Sequence, residues 1–171
     1  LPYLATLFRQ VCAVDVDPAK VQAARAMAGA RADVAVVEGF RDGRIRYPFP
    51  EGRFGAVLAF SLLHHLAPAE QAAVLAEAAR MLHPGGLACF LEYNPWNPVT
   101  RFVVATGPED RGSRVLGPSR VASGMSAAGL IPSHAGYLLC VPRPLRALAP
   151  LERPIARLPL GAKYLVVGRK P

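Results

Sequence analysis

The stretch that most constrains this chain is Val11-Cys12-Ala13-Val14-Asp15-Val16-Asp17-Pro18. Four apolar residues end in an acid, and two residues later Asp-Pro opens a run of Ala, Val, Arg and Met at helical spacing. The pattern predicts a buried parallel strand, an acidic residue at its C-terminal end, and a new helix capped by Asp17 with Pro18 in its first turn. Parallel sheets hold ligands beyond the carboxyl ends of their strands. A carboxylate there can accept hydrogen bonds from both hydroxyls of a ribose. The alternative is that Asp15 only ends a strand and is solvated.

The rest of the chain repeats the alternation. Residues 1–10 read as the tail of a helix, with Leu4, Leu7 and Phe8 on one face. A helix is expected over 18–28, with Val21, Ala24, Met27 and Ala28 inward, and a second buried strand over 33–38. Tyr47-Pro48-Phe49-Pro50-Glu51-Gly52 forbids regular structure. A third strand over 54–60 leads into Ser61-Leu62-Leu63-His64-His65-Leu66. The clearest helix covers 68–82, its stripe Val74, Leu75, Ala78, Ala79 and Leu82, with Glu70, Glu77 and Arg80 outward. Pro84-Gly85-Gly86 stops it, and a fourth strand covers 87–92. A short helix over 98–105, a loop over 107–117, a weaker helix over 118–129 with Gly124 inside it, and strands over 134–141 and 162–169 follow. Strands alternating with helices predict an α/β fold, a Rossmann-like doubly wound, mostly parallel sheet in one domain of residues 1–171. The last two strands, joined by a proline-broken excursion, are expected to pair antiparallel at one edge.

Composition narrows the function. No apolar run approaches the roughly 20 residues of a membrane span. Cys12, Cys89 and Cys140 are far apart in apolar runs, as expected of free thiols in a reducing, cytoplasmic setting and not of a disulfide framework or metal site. The net charge of +8 comes from scattered arginines without interleaved aromatics, so no nucleic-acid partner is expected. An anionic partner or substrate stays open as the second reading of that charge.

The polar clusters fall at strand C-termini: Asp15, Glu38, Ser61 to His65, and Glu92-Tyr93-Asn94-Pro95-Trp96-Asn97. That is the edge where open α/β sheets hold ligands. In order, Val-Asp-Val-Asp-Pro-Ala-Lys, Pro-Phe-Pro-Glu-Gly-Arg-Phe-Gly-Ala-Val, Leu-Leu-His-His-Leu and Ala-Arg-Met-Leu-His-Pro-Gly-Gly resemble the class I S-adenosylmethionine-dependent methyltransferases. The group most similar is the small-molecule enzymes of the ubiquinone and menaquinone biosynthesis type, and the resemblance extends to the closing Tyr164-Leu-Val-Val-Gly-Arg-Lys.

The resemblance implies S-adenosyl-L-methionine as cofactor and a small molecule, glycan or quinone as methyl acceptor. It implies that Asp15 binds the cofactor ribose, that Val16 packs near adenine with Gly39 and Phe40, and that Ser61 lines the methionine side. Phe40 stands where the family often carries an acid, a role open to Asp42 from the loop. It places Asn94, Trp96 and Asn97 on the substrate side, where a proline-broken turn with Trp96 as a lid is the alternative. His64 or His65 is expected either to act as general base for an acceptor hydroxyl or to have a structural or pocket-lining role. Glu92 acts as base or substrate anchor.

The family's Gly-x-Gly-x-Gly loop, which follows its central first strand, has no counterpart here, and residues 1–10 match the helix after it. The expectation is an N-terminally truncated domain that lacks the central strand, leaves unpaired edges on the flanking strands, and binds the cofactor poorly. Two competing readings are a non-catalytic methyltransferase-like module and a nicotinamide-dependent enzyme, which also uses an acid at this strand end. The Pro-Phe-Pro-Glu-Gly segment and the antiparallel C-terminal strand favour the methyltransferase.

Overall fold

A computed structural model describes residues 2–28, 32–36, 45–138, 150, 154 and 156–171. They fall into two compact units, Leu1–Asp42 with Arg46–Pro48, and Gly43–Ile45 with Phe49–Pro171. The calls on Glu38, Gly39, Phe40, Asp42 and Cys140 lie outside the described residues.

The first unit contains α1 (Pro2–Leu7), β1 (Val11–Asp15), α2 (Pro18–Ala28) and β2 (Ala32–Val36). The two strands pair in parallel, from Val11 opposite Ala32 to Asp15 opposite Val36. α2 starts where the sequence places it, because the Asp17 carboxylate accepts a hydrogen bond from the Ala19 amide at 2.9 Å and satisfies one free donor of the first turn. Val21 is buried, Ala24 half-buried, and Met27, expected inward, is exposed in the last turn.

The second unit holds β3 (Phe54–Phe60), α3 (Pro68–Met81), β4 (Leu82–Tyr93), α4 (Pro98–Thr106), α5 (Pro118–Ala127), β5 (Ile131–Leu138) and β6 (Lys163–Arg169). Its sheet runs β3-β4-β6-β5, with β3 and β4 parallel and β6 antiparallel to both of its neighbours. The molecule is thus the expected Rossmann-like α/β fold with an antiparallel C-terminal edge. Its strands form two hydrogen-bonded sheets: among the described residues β1 pairs only with β2, and β3 only with β4.

Packing follows the apolar stripes. Val74, Leu75, Ala78 and Met81 of α3 are buried, as are Leu82, Ala88 and Phe90 of β4, Val121 and Met125 of α5, and Tyr164 and Val166 of β6. Glu77 departs from its expected outward place. It is buried because Arg80 pairs with it through two hydrogen bonds, at 2.6 and 2.8 Å, and also donates to the Phe49 carbonyl. β4 begins five residues earlier than expected and absorbs Pro84-Gly85-Gly86, with a register irregularity opposite Phe54 to Ala56. β5 begins at Ile131 and takes in Pro132, which an edge strand tolerates.

Candidate active site

In the second unit the polar residues converge on one turn. β3 ends at Phe60, and Ser61 takes φ +50°, a left-handed backbone that few residues other than glycine adopt. Its amide donates to the Leu91 carbonyl, and its hydroxyl accepts from the Lys163 ammonium at 2.5 Å. That ammonium also lies 4.6 Å from the centre of the Tyr93 ring. The sharp change of direction at Ser61 delivers the chain into a single 3-10 turn, Leu63–His65.

Glu92, one residue from the end of β4, holds this turn from below. Its Oε1 accepts hydrogen bonds from the Leu62 and Leu63 amides, both at 2.8 Å, and its Oε2 lies 2.7 Å from His64 Nδ1. Gln71 on α3 donates to the Leu63 and Leu66 carbonyls, and the Arg114 amide donates to the His64 carbonyl. His64 and Glu92 are both 1% exposed, so this polar cluster is internal and fully hydrogen-bonded.

On the other side of the ring, His64 Nε2 lies 3.2 Å from Oδ1 of Asp110, in the loop after α4. His65 Nε2 lies 3.6 Å from the same oxygen, and its side chain is 40% exposed. Asp110 also faces an open cleft of about 480 Å³, lined further by Arg101, Arg111, Ser113 and Val115. Its carboxylate therefore links the buried imidazole to a concave surface of ligand size. Tyr93 packs on the His64 ring at 4.9 Å; burial, then the charges of Asp110, Glu109 and Glu92, hold its phenol above the ordinary pKa.

The expected substrate residues split into supports and a platform. Asn94 is fully buried, donates to the Pro159 and Gly161 carbonyls, and accepts from the Trp96 amide. Asn97 caps α4 by accepting from the Thr100 amide and donates to the Leu160 carbonyl. Between them Trp96 is left exposed, its ring 6.3 Å from that of Tyr137 and in contact range of Gly117.

In the first unit Asp15 Oδ1 accepts the Asp17 amide at 3.0 Å, and Val16 beyond it is 49% exposed. The structure brings the expected His64, His65 and Glu92 together around one turn and adds Asp110 and Lys163 to it, which no local pattern marks: Asp110 sits in a loop 46 residues from His64 and Lys163 is 102 residues from Ser61.

Residues 1–90 match the family described as a methyltransferase domain. No curated protein matches the chain by sequence. Among solved structures, a methyltransferase of Haloferax volcanii in complex with the Trm112 methyltransferase activator is similar with a TM-score of 0.70 and 20% identity, over 95% of this chain and 73% of that one. An S-adenosylmethionine-dependent methyltransferase of Thermotoga maritima gives a TM-score of 0.69 at 14% identity, over 99% of this chain and 76% of that one. A geranyl diphosphate methyltransferase in complex with geranyl diphosphate and sinefungin gives 0.65 at 16%, over 95% and 64%.

Proposed function

The chain belongs to the methyltransferase domain family, and from that membership we propose that it serves S-adenosyl-L-methionine-dependent methyl transfer to a small-molecule acceptor, a glycan or quinone included. The observation that carries the reading is Asp15. It ends a parallel strand, one carboxylate oxygen is fixed by the Asp17 amide, and the other has no hydrogen-bond partner among the described residues. A carboxylate fixed on one side and open on the other suits a pair of ribose hydroxyls. The exposed Val16 offers an apolar face to adenine.

Bound cofactor supplies an electrophilic sulfonium methyl. The chain's own task is to orient the acceptor and remove its proton. Of the three residues assigned to that chemistry, His65 is exposed enough to touch an acceptor and takes the proton of its hydroxyl. His64 and Glu92 are positioning residues: Glu92 fixes the turn and the His64 ring, and both histidines face Asp110. Trp96 offers an acceptor a ring to stack on, and Asn94 and Asn97 hold the loop that presents it.

The alternative, a methyltransferase-like module without cofactor, is favoured by β1 and β3 each having one partner strand among the described residues. Equilibrium titration of the intact protein with sinefungin or S-adenosylhomocysteine decides. Saturable binding that weakens about tenfold or more in Asp15→Asn supports methyl transfer; tenfold corresponds to about 1.4 kcal/mol. Absence of saturable binding supports the module; binding indifferent to Asp15 overturns the assignment of the ribose to Asp15.

A further inference from the structure

We infer that His64, His65 and Asp110 form a binding site for one divalent transition-metal ion of the zinc class, with Glu92 as the carboxylate behind the first histidine. Glu92 Oε1 accepts two backbone amides and its Oε2 lies 2.7 Å from His64 Nδ1, so the carboxylate engages that ring nitrogen and leaves Nε2 as the one facing a ligand.

That nitrogen faces Asp110 Oδ1 at 3.2 Å. A proton or a metal ion can bridge the two atoms. Two further observations favour the metal. His65 Nε2 approaches the same carboxylate oxygen at 3.6 Å, longer than a charge-assisted hydrogen bond but suited to two ligands of one ion. The three ligand atoms also lie within 4.8 Å of one another.

With ordinary zinc–nitrogen and zinc–oxygen bonds of about 2.1 Å, separations of 3.2 and 3.6 Å correspond to ligand–metal–ligand angles of roughly 100° and 120°, near tetrahedral. The remaining arrangement is that of a reactive metal centre: a histidine whose other nitrogen is held by a carboxylate, three protein ligands, and a coordination position left over. Asp110 places that position beside the cleft of Arg101, Arg111 and Ser113. Two imidazoles and one carboxylate select zinc, cobalt or nickel over magnesium or calcium.

The site does not depend on methyl transfer; with the ion bound His65 is a ligand and does not serve as the base, and the test reads ion binding alone. Chelator-stripped full-length protein is titrated with Zn²⁺ by calorimetry and with Co²⁺ by its visible absorption. One ion per chain is expected, with no competition from excess Mg²⁺. His65→Ala and Asp110→Asn are each expected to weaken Zn²⁺ at least 100-fold. Glu92→Gln is expected to weaken it about 10- to 100-fold, as removal of an outer carboxylate does. His134→Gln, distant in sequence and outside the cluster, leaves it unchanged. His65 is partly exposed, so His65→Ala tests the site even if the buried variants fail to fold, and the unfolding transition of each variant is recorded alongside. Binding indifferent to His65, or no saturable binding of either ion, overturns the inference and leaves a proton between His64 and Asp110.

Discussion

Glu92 and His64 meet at 2.7 Å in a space from which water is excluded, and Glu92 uses its second oxygen to hold two amides of the turn that carries His64. One carboxylate thus sets the fold of the turn and the orientation of the ring it presents.

Replacing Glu92 by Gln keeps the shape and removes half of the acceptors. One amide oxygen then stands where two carboxylate oxygens hold two backbone N–H groups and the ring, and the charge of the network is lost. Loss of one partner from a buried charged network costs about 3–5 kcal/mol. Urea unfolding of Glu92→Gln should show an unfolding free energy lowered by that amount, read as a lower midpoint at unchanged slope.

Asn97→Ala tests a structural assignment against a substrate role. The side chain caps α4 and reaches the Leu160 carbonyl, so its removal should destabilise the protein by about 1–2 kcal/mol without any ligand present. A thermal melt of the unliganded variant is sufficient; an unchanged midpoint would return Asn97 to the acceptor.

Tyr164 should make the protein sensitive to alkali. Its ring is fully buried, its hydroxyl donates to the Leu116 carbonyl, and burial raises its pKa above the ordinary value. A pKa raised in the folded state contributes stability that is fully present below the unfolded value, near 10, and is lost above it. Unfolding free energy should fall above pH 10 by about 1.4 kcal/mol per unit for this residue alone. Tyr164→Phe should flatten that slope, followed by denaturant titration at several pH values.

Gly86→Ala should be costly although Gly86 has no unusual backbone angle. A methyl group there would meet the His83 carbonyl oxygen at 2.9 Å and the Gly55 carbonyl oxygen at 3.2 Å, both main-chain atoms that cannot turn aside. Overpacking of this kind costs about 1–3 kcal/mol. A lowered melting midpoint with retained circular dichroism is the expected outcome.

Much of the fold was legible because short apolar runs ending in acids have few uses outside a parallel sheet. β1, α2, β3 and α3 lie within a residue or two of their expected bounds. The position of β6 between β4 and β5 was not readable, since strand order depends on contacts between distant segments. The same limit governs the site. His64 and Glu92 could be named because each follows or ends a strand, whereas Asp110 is an ordinary loop acid until folding sets it against an imidazole. Asn94 and Asn97 are expected on the acceptor side because polar residues at strand ends often are; the bonds of their amides to the carbonyls of residues 159–161 join distant segments and have no signal in the local sequence.

Among the described residues β3 pairs on one side alone, which bears on handling the molecule. Phe54–Phe60 reads Phe-Gly-Ala-Val-Leu-Ala-Phe, with no charge and no proline, and among the described residues it is the terminal strand of its sheet. Such a segment is a template for cross-β growth when its outer backbone groups find no cover. Concentrated preparations should therefore fibrillise from this strand first, and a lysine at Ala56 or Ala59 would act as a gatekeeper against it.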